Sequence, residues 1–501
     1  MTAVPTVRGH DLETSAGRGR WFGLAVIVLA QLLVVLDSTV LAVALPSAQQ
    51  DLGFSDASRQ WVLTAYTLAF GGLLLLGGRI ADRIGLKRCL ALGVTGFGVV
   101  SAIGGAANSG GMLIACRAAQ GVFAALLAPC TLALINVIFP DKRERGKAFG
   151  IYSGVLVAGG ALGLLIGGSL TEYLSWRWCM YVNVPVTAVA LLGALTVLPL
   201  LPGHHIKLDL FGGLVGCSGL VAMVYGFGHV AEQGWDSALV IGLLIASVLL
   251  LGLFTVIQSK RSSPLLPLRI VTDRNRAGAF ATMVFSSIGL FGMLLFLTYQ
   301  LQEVMGYSPL RTGFAFLPLL AANVSVSAMS ATLLLPRVRP RYLLATGLTI
   351  AAFGLFLLTR MTPESSYWDG ILPGEVVLGL GLGTVMAPCA ATATNEVAKS
   401  DTGVASAFFN TSTQIGASIG TALLNTIAAN ATKVYQGAHP GIRAVRATVH
   451  GYVVAGRWAA GLLLMAALMA ALMAVVLITA APFRPSEDDE WSDTGAAGVP
   501  G

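Results

Sequence analysis

Apolar runs of membrane-spanning length recur along the whole chain, separated by short polar segments. A helix of about 20 apolar residues crosses the hydrocarbon core of a bilayer. The runs lack the period-two alternation expected of the strands of a membrane barrel. The pattern therefore predicts an all-α polytopic membrane protein with fourteen transmembrane helices, at approximately 21–45, 60–78, 89–107, 112–138, 148–170, 179–199, 210–230, 237–257, 277–300, 312–335, 342–359, 370–393, 403–428 and 453–481.

Composition supports this fold class. The 501 residues are 55% hydrophobic and only 11% charged, with a mean hydropathy of +0.77, whereas soluble proteins carry about 25% charged residues. The six cysteines lie in or beside apolar runs and form no C-x-x-C pair. We therefore expect neither a disulfide framework nor a metal site.

The distribution of basic residues predicts the orientation in the bilayer. Most of the 31 lysines and arginines fall in alternate loops that share a side with the N-terminus. By the positive-inside rule both termini lie in the cytoplasm, so the net charge of +7 reflects topology and implies no nucleic-acid partner. Residues 1–20 and the acidic segment 482–501 are predicted to be cytoplasmic tails. The longest outer loop, beginning after residue 428, is expected to have structure of its own.

The chain also repeats itself. Leu52-Gly53-Phe54-Ser55 precedes the second predicted span, and Met305-Gly306-Tyr307-Ser308 precedes the tenth. The four-residue glycine spacing of the fifth span recurs in the thirteenth at Gly416 and Gly420. These repeated sequence patterns predict two six-helix halves, 21–199 and 277–481, with a helix pair inserted at 210–257. Transporters built from two such halves bind their substrate at the interface between them.

Asp37 is a carboxylate in the first apolar run. An Asp at the centre of a membrane helix costs about 2.5–3.5 kcal/mol and by default marks an ion, proton or substrate pathway. Arg117 lies at a similar depth in the fourth span, by the rise of a helix. Because a buried Arg keeps its charge, it needs an acceptor. We expect Asp37 and Arg117 to meet directly or through water; the alternative is that Arg117 extends to the outer interface.

The segment Gly77-Gly78-Arg79-Ile80-Ala81-Asp82-Arg83-Ile84-Gly85-Leu86-Lys87-Arg88 joins the second and third spans. It resembles the signature loop of the major facilitator superfamily, which is thought to latch the two halves in one access state. Gly78 and Gly85 permit a tight turn and close helix approach, and Asp82 suits the N-terminal end of a neighbouring helix. Arg83 is expected to pair with Asp141, and Lys87 and Arg88 complete the predicted gating loop.

Further motifs resemble the fourteen-helix drug/proton antiporter branch of that superfamily. Leu36-Asp37-Ser38-Thr39-Val40 with Pro46 is similar to the branch signature, although Ala42 replaces an Asn. Arg117-Ala118-Ala119-Gln120-Gly121 is similar to the family R-x-x-Q-G motif. The glycines Gly159, Gly163, Gly167 and Gly168 resemble the antiporter motif, with Leu164 in place of its proline. The resemblance implies proton coupling by Asp37 and Arg117, and tight helix packing by these glycines.

Other polar residues in the spans either bond neighbouring helices or contact substrate in a cavity. They are Tyr66, Gln120, Asn183, Gln300, Asn323, Asn395, Asn410 and Gln414. Glu375, near the outer end of the twelfth span, is interpreted as a shallow interface carboxylate. Because the tenth span carries Asn323 and no carboxylate, the resemblance disfavours a specialist for divalent cations.

The absence of a G-x-x-x-x-G-K-[ST] loop argues against direct drive by ATP. The six histidines show no metal-ligand spacing, and no nucleophile–base constellation is evident. We expect a monomeric, cofactor-free exporter of drugs, antibiotics or other lipophilic small molecules, exchanging them for protons across the bacterial cytoplasmic membrane. The alternatives are a dedicated exporter of one metabolite, a nutrient symporter, and a membrane enzyme or sensor.

Overall fold

A computed structural model of the protein describes residues 18–200, 203, 209–261, 264–394, 397, 402–441 and 443–478. Asn395 and most of the two predicted tails lie outside these residues. The described part is helical and contains no β-strand. Its long helices are α1 Arg18–Leu52, α2 Asp56–Ile84, α3 Leu86–Gly105, α4 Gly110–Ile138, α5 Lys142–Tyr173, α6 Trp178–Val197, α7 Leu210–Gln233, α8 Ala238–Lys260, α9 Arg274–Val304, α10 Pro309–Leu334, α11 Pro340–Leu358, α12 Tyr367–Ala393, α13 Thr402–Ala438 and α14 Ala444–Ile478.

Twelve helices of the described residues are long and apolar enough to cross a membrane. The positions of the fifth and thirteenth predicted spans are occupied by α5 and α13, of 32 and 37 residues, which are not among the twelve. Helix α13 carries many Gly, Ser, Thr and Asn residues, which lower its hydropathy. The polytopic all-α fold is confirmed, and the count of fourteen spans stays a prediction.

The repeated tetrapeptide is a helix stop followed by a helix start. Gly53 and Gly306 adopt φ of +64° and +67°, a left-handed conformation that glycine tolerates at helix ends. Two residues later, the hydroxyls of Ser55 and Ser308 accept the backbone N–H groups that open α2 and α10. We call the end of the molecule that contains these two turns the distal end, and the end with the α2–α3 loop the proximal end.

Glycine faces set the packing inside each group of six helices. A Cβ on Gly163 or Gly167 of α5 would collide with Thr39 or Val40 of α1. A Cβ on Gly416 or Gly420 of α13 would collide with Val284 or Ile288 of α9. The repeated glycine spacing in the sequence therefore corresponds to the same kind of helix pair in both groups: α5 packs on α1, and α13 packs on α9.

The first group of helices, α1–α6, meets the second group, α9–α14, mainly where α2 packs against α13 and α5 packs against the first turns of α10. Hydrogen bonds between the groups include Thr64 with Thr421 at 2.6 Å and Thr67 with Ser418 at 2.7 Å. The α7–α8 pair packs on itself, and α7 also contacts both α2 and α13. It therefore covers one flank of the α2–α13 seam, while the division into domains stays a prediction.

The prediction of a long outer loop after residue 428 is wrong. Helix α13 continues to Ala438 and α14 begins at Ala444. Polar residues such as Lys433 suggested a loop, but they lie on helical turns beyond the apolar segment. Arg443 and Arg446 pair across to Glu364, at 3.3 and 2.9 Å.

Gly77 is the position of closest approach between α2 and α4. A Cβ there would lie 2.0 Å from the Ala125 carbonyl oxygen, whereas a Cβ on Gly78 would lie 3.7 Å from Pro129. We expect Gly77→Ala to destabilise the protein by about 1–3 kcal/mol, as overpacking does. Gly78→Ala is the matched control and should leave the thermal unfolding midpoint in detergent unchanged or slightly raised. Equal midpoints for the two variants would contradict this assignment of the close contact.

Candidate functional site

Asp37 lies inside the α1–α6 group, with 1% of its surface exposed. One carboxylate oxygen, Oδ2, accepts Arg117 Nη1 in an ion pair. The other, Oδ1, accepts Gln120 Nε2 at 3.0 Å and Asn183 Nδ2 at 2.9 Å. Donors from α4 and α6 thus surround a carboxylate of α1, and the expected contact between Asp37 and Arg117 is direct.

Arg117 is enclosed by the same helices and is also 1% exposed. Its Nε donates to the Val62 carbonyl of α2 at 3.1 Å, and its guanidinium lies 4.3 Å from the centroid of the Tyr66 ring. Nη1 also donates to Gln120 Oε1 at 2.7 Å. The charge is therefore compensated inside the protein, and the alternative of an Arg extending to the membrane interface is wrong.

Ser101 of α3 completes the network and was missed by sequence reasoning. Gln120 Nε2 donates to Ser101 Oγ at 2.7 Å, and Ser101 Oγ donates to the Phe97 carbonyl at 2.7 Å. A membrane-helix Ser usually bonds only its own helix, so no pattern distinguished Ser101 from other hydroxyls. With it, five helices of the first group contribute to one polar cluster.

The predicted gating loop is built around Gly85, whose φ of +92° breaks α2 from α3. Lys87 Nζ donates to the carbonyls of Leu195 and Leu198, both at 2.8 Å, and so caps the end of α6. Asp141 Oδ1 accepts the N–H of Glu144 at 2.9 Å and caps the start of α5. The expected ion pair between Arg83 and Asp141 is not among the ion pairs found in the described residues.

Three further loop residues, Asp82, Arg83 and Arg88, are exposed at the proximal end. Arg79, one turn earlier, donates to the Pro264 carbonyl at 2.8 Å and ties α2 to the segment after α8. The assignment of these residues to gating stays a prediction.

The antiporter glycines lie directly behind Asp37. Gly163 and Gly167 pack on the α1 turn that follows it, Gly159 packs on Leu32, and Gly168 packs on Leu310 of α10. Helix α5 is continuous from Lys142 to Tyr173 although Leu164 replaces the motif proline. The glycine face of α5 therefore lets α1 and α10 of the second group pack closely against the same helix.

The seven candidate cavity residues within the described part of the chain separate into three in the first group of helices and four in the second. Tyr66, Gln120 and Asn183 belong to the Asp37 cluster. Gln300 is fully buried in α9, and neither amide atom has a hydrogen-bond partner among the described residues. The other three lie in α10 and α13: Asn323 is half-buried, Asn410 donates to Ser406, and Gln414 packs on Gly71 of α2.

Glu375 is not a shallow interface carboxylate. The side chain is fully buried in α12, and its Oε2 lies 3.3 Å from the hydroxyl of Tyr367. Its Oε1 has no hydrogen-bond partner in the described part of the chain. Its position along α12 follows from the sequence, but the packing of α10 and α11 around it does not.

The sequence of residues 27–421 matches the family model of the Major Facilitator Superfamily. The chain is 50% identical to a puromycin resistance protein of Streptomyces alboniger, covering 100% of this chain and 99% of that one. It is 37% identical to a cephamycin export protein of Amycolatopsis lactamdurans, over 86% of this chain and 90% of that one. It is 32% identical to a multidrug efflux pump of Mycolicibacterium smegmatis, over 84% of this chain and 83% of that one.

Solved structures share the fold at low sequence identity. A bacterial homologue of the human lysosomal transporter Spinster superposes with a TM-score of 0.64 at 18% identity, covering 92% of this chain and 98% of that one. A POT family transporter superposes with a TM-score of 0.68 at 14% identity, covering 91% of this chain and 98% of that one.

The buried ion pair predicts a specific pattern of stability. Arg117→Met leaves Asp37 buried without its cation, which should cost about 3–5 kcal/mol. Adding Asp37→Asn removes the uncompensated charge, so the double variant should regain much of the lost thermal midpoint. Glu364→Gln, which breaks an exposed ion pair, is the control and should change the midpoint little. A double variant as unstable as Arg117→Met alone would contradict the assignment.

Proposed function

The chain belongs to the major facilitator superfamily, and we propose that it exports antibiotics or related lipophilic small molecules in exchange for protons. As a multi-pass membrane protein of this family, it moves small molecules across a bilayer. The proposal adds direction, coupling ion and substrate class. It rests on the Asp37 cluster and on the relatives named above, which the chain matches over most or all of their length.

The observation that supports proton coupling is a buried carboxylate whose Oδ2 accepts from a cation and whose Oδ1 accepts from two amide groups. Hydrogen bonds from three donors hold Asp37 as an acceptor, so in this conformation it is arranged as a carboxylate. When helices separate and water enters, a proton neutralises Asp37 and releases Arg117 from the ion pair. Arg117 then takes other acceptors, such as the Val62 carbonyl it already contacts and Gln120 Oε1. Proton binding thereby changes how α1 is held to α4.

Alternation between substrate and proton follows from the position of Asp37. Helix α1 is packed along α5, and α5 contacts α10 of the second group through Gly168. A change in the α1–α4 contact is therefore passed to a junction between the two groups. Rocking of the groups about a site near mid-membrane is the movement that such a scaffold supports.

Antibiotics are the substrate class that the relatives favour, since they include proteins named for puromycin resistance and cephamycin export. Gln300 offers an unpartnered buried amide donor and acceptor to a polar group of the substrate. A dedicated antibiotic exporter is the second candidate function. The observation that favours it is 50% identity over the full chain to the puromycin resistance protein.

The same proposal places the protein in the bacterial cytoplasmic membrane, with both termini in the cytoplasm and the distal end outside. It acts as a monomer and uses no cofactor, because the proton gradient supplies the energy. The support for this orientation is the distribution of lysines and arginines in the sequence.

Asp37→Asn should abolish proton-driven export while the protein remains folded and inserted. The measurement is a resistance panel in an efflux-deficient bacterial host, with puromycin, a β-lactam of the cephamycin type and several lipophilic cations, each with and without a protonophore. Asp51→Asn is the matched control, because Asp51 lies on the same helix in a partly exposed ion pair with Arg177.

Each outcome of this panel decides one point. Full resistance of the Asp37→Asn strain would overturn the coupling mechanism. Resistance that survives the protonophore would overturn proton drive. Resistance to puromycin alone would favour the dedicated exporter, and resistance to unrelated cations as well would favour a multidrug exporter.

A further inference from the structure

Glu375 is a buried carboxyl group that the Asp37 mechanism does not use. It is fully buried two turns into α12 from the distal end. In the described part of the chain no Lys, Arg or His forms an ion pair with it, and its Oε1 has no hydrogen-bond partner. An ionised carboxylate in such a place costs several kcal/mol unless it is paired. The protonated acid is the form that this site accommodates.

A count of hydrogens leads to the same protonation state. The hydroxyl of Tyr367 lies 2.7 Å from the Ala315 carbonyl and 3.3 Å from Glu375 Oε2. A carbonyl oxygen only accepts, so the one phenolic hydrogen is donated to Ala315. The contact of the same hydroxyl with Glu375 Oε2 is the longer of the two, so Tyr367 compensates a negative charge on Glu375 only weakly. The neutral acid needs no such compensation.

The groups around Glu375 supply no counter-charge. Helix α11 presents Gly354 and Leu358 to this part of α12. Ahead of α10, the Tyr307 ring lies 6.4 Å from the Tyr367 ring, and Arg311 stacks on Tyr307 at 3.8 Å rather than on the carboxyl. On α9 the distal titratable side chains Tyr299 and Glu303 are hydrogen-bonded to Gln49 and Gln50 of α1. Asp369, on the first turn of α12, is exposed and bonded to Ser366.

Tyr367 connects Glu375 to the junction between the two groups of helices. Ala315 ends the first segment of α10, Pro309–Ala315, which packs on α5. A Cβ on Gly313 would lie 2.6 Å from the Leu164 carbonyl of α5, and the Leu310 N–H donates to Glu172 Oε2 at 3.1 Å. Separation of α5 from α10 at the distal end therefore moves the carbonyl that Tyr367 holds.

We propose that Glu375 is a proton-binding site that locks the distal end closed. With the end closed, Tyr367 is committed to Ala315 and Glu375 keeps its proton. When α10 leaves α5, the Tyr367 hydroxyl is freed to donate to Glu375, water enters, and the carboxyl group loses its proton to that water. This rests on the proposed function only in taking distal opening as part of the transport cycle.

The direction of the pH effect follows from linkage. The closed form binds one more proton at Glu375 than the open form, so acid on the distal side favours closure and alkali favours opening. The proton enters and leaves on the same side, so this site adds no proton to the transport stoichiometry. It makes the return to the closed state dependent on external protons, separately from Asp37.

The test uses the full-length purified protein in lipid nanodiscs, without substrate or gradient. Spin labels on Tyr173 of α5 and Phe314 of α10, both exposed, report distal opening. Cys217, which is partly exposed, is replaced by Ser; the other five cysteines are buried. In the unmodified background the label distance should lengthen as pH rises. In Glu375→Gln, which keeps the size and polarity of the side chain without a titratable proton, the label distance should stay short at every pH.

Asp369→Asn is the matched control on the same helix and should retain the wild-type pH response. An infrared spectrum at neutral pH supplies a second readout: a carboxylic acid band should be present in wild type and Asp369→Asn, and absent in Glu375→Gln. An unchanged band in Glu375→Gln, or an unchanged pH midpoint, overturns the proposal.

The same measurements in an Asp37→Asn background separate this proposal from the proposed function. The pH response should persist there, because it belongs to Glu375. If Asp37→Asn still exports fully, proton coupling through Asp37 fails while the Glu375 site stands. If Asp37→Asn alone abolishes the pH response, the Glu375 proposal fails and Asp37 remains the titrating group.

Discussion

The ion pair between Asp37 and Arg117 is the constraint on which the first six helices depend. Two opposite charges away from water are tolerated only when their remaining donors and acceptors are also satisfied. That requirement brings Gln120, Asn183 and the Val62 carbonyl to one point from α4, α6 and α2. Helices can meet this closely only where side chains are absent. A Cβ on Gly121 would lie 2.4 Å from the Tyr66 carbonyl, so the glycine after the polar pair makes room for it.

The second group of six helices uses the same backbone packing with different chemistry. Gly416 and Gly420 bring α13 onto α9 as the α5 glycines bring α5 onto α1. The described residues of this group contain no buried ion pair comparable to that of Asp37. Instead they include an amide and a carboxyl group with unpartnered buried atoms, Gln300 and Glu375. The two groups thus share helix contacts that depend on small residues, while their polar side chains differ.

The sequence predicted what depends on spacing along one helix. The helices, the glycine faces and the depths of Asp37 and Arg117 follow from helical rise and hydropathy, and the structure contains them. The sequence did not predict contacts that depend on the packing of a third helix. Ser101 joins the cluster only because α3 packs beside α4, and Glu375 is buried only because α10 and α11 close over α12. Asp141 was assigned to Arg83 by charge, whereas its carboxylate accepts the backbone N–H of Glu144 at the start of α5.

The two proposals assign opposite protonation states to two buried carboxyl groups in one conformation, for a physical reason. Asp37 is surrounded by donors and a cation, which suit a carboxylate. Glu375 meets a tyrosine whose hydroxyl lies closer to a backbone carbonyl, and no cation, which suits an acid. A change of conformation that exposes both groups to water removes both environments. In the proposed cycle Asp37 therefore gains a proton on opening and Glu375 gains one on closing. A transporter with both devices responds to protons at two points of its cycle, and the two responses are separable because the groups lie in different halves of the helix bundle.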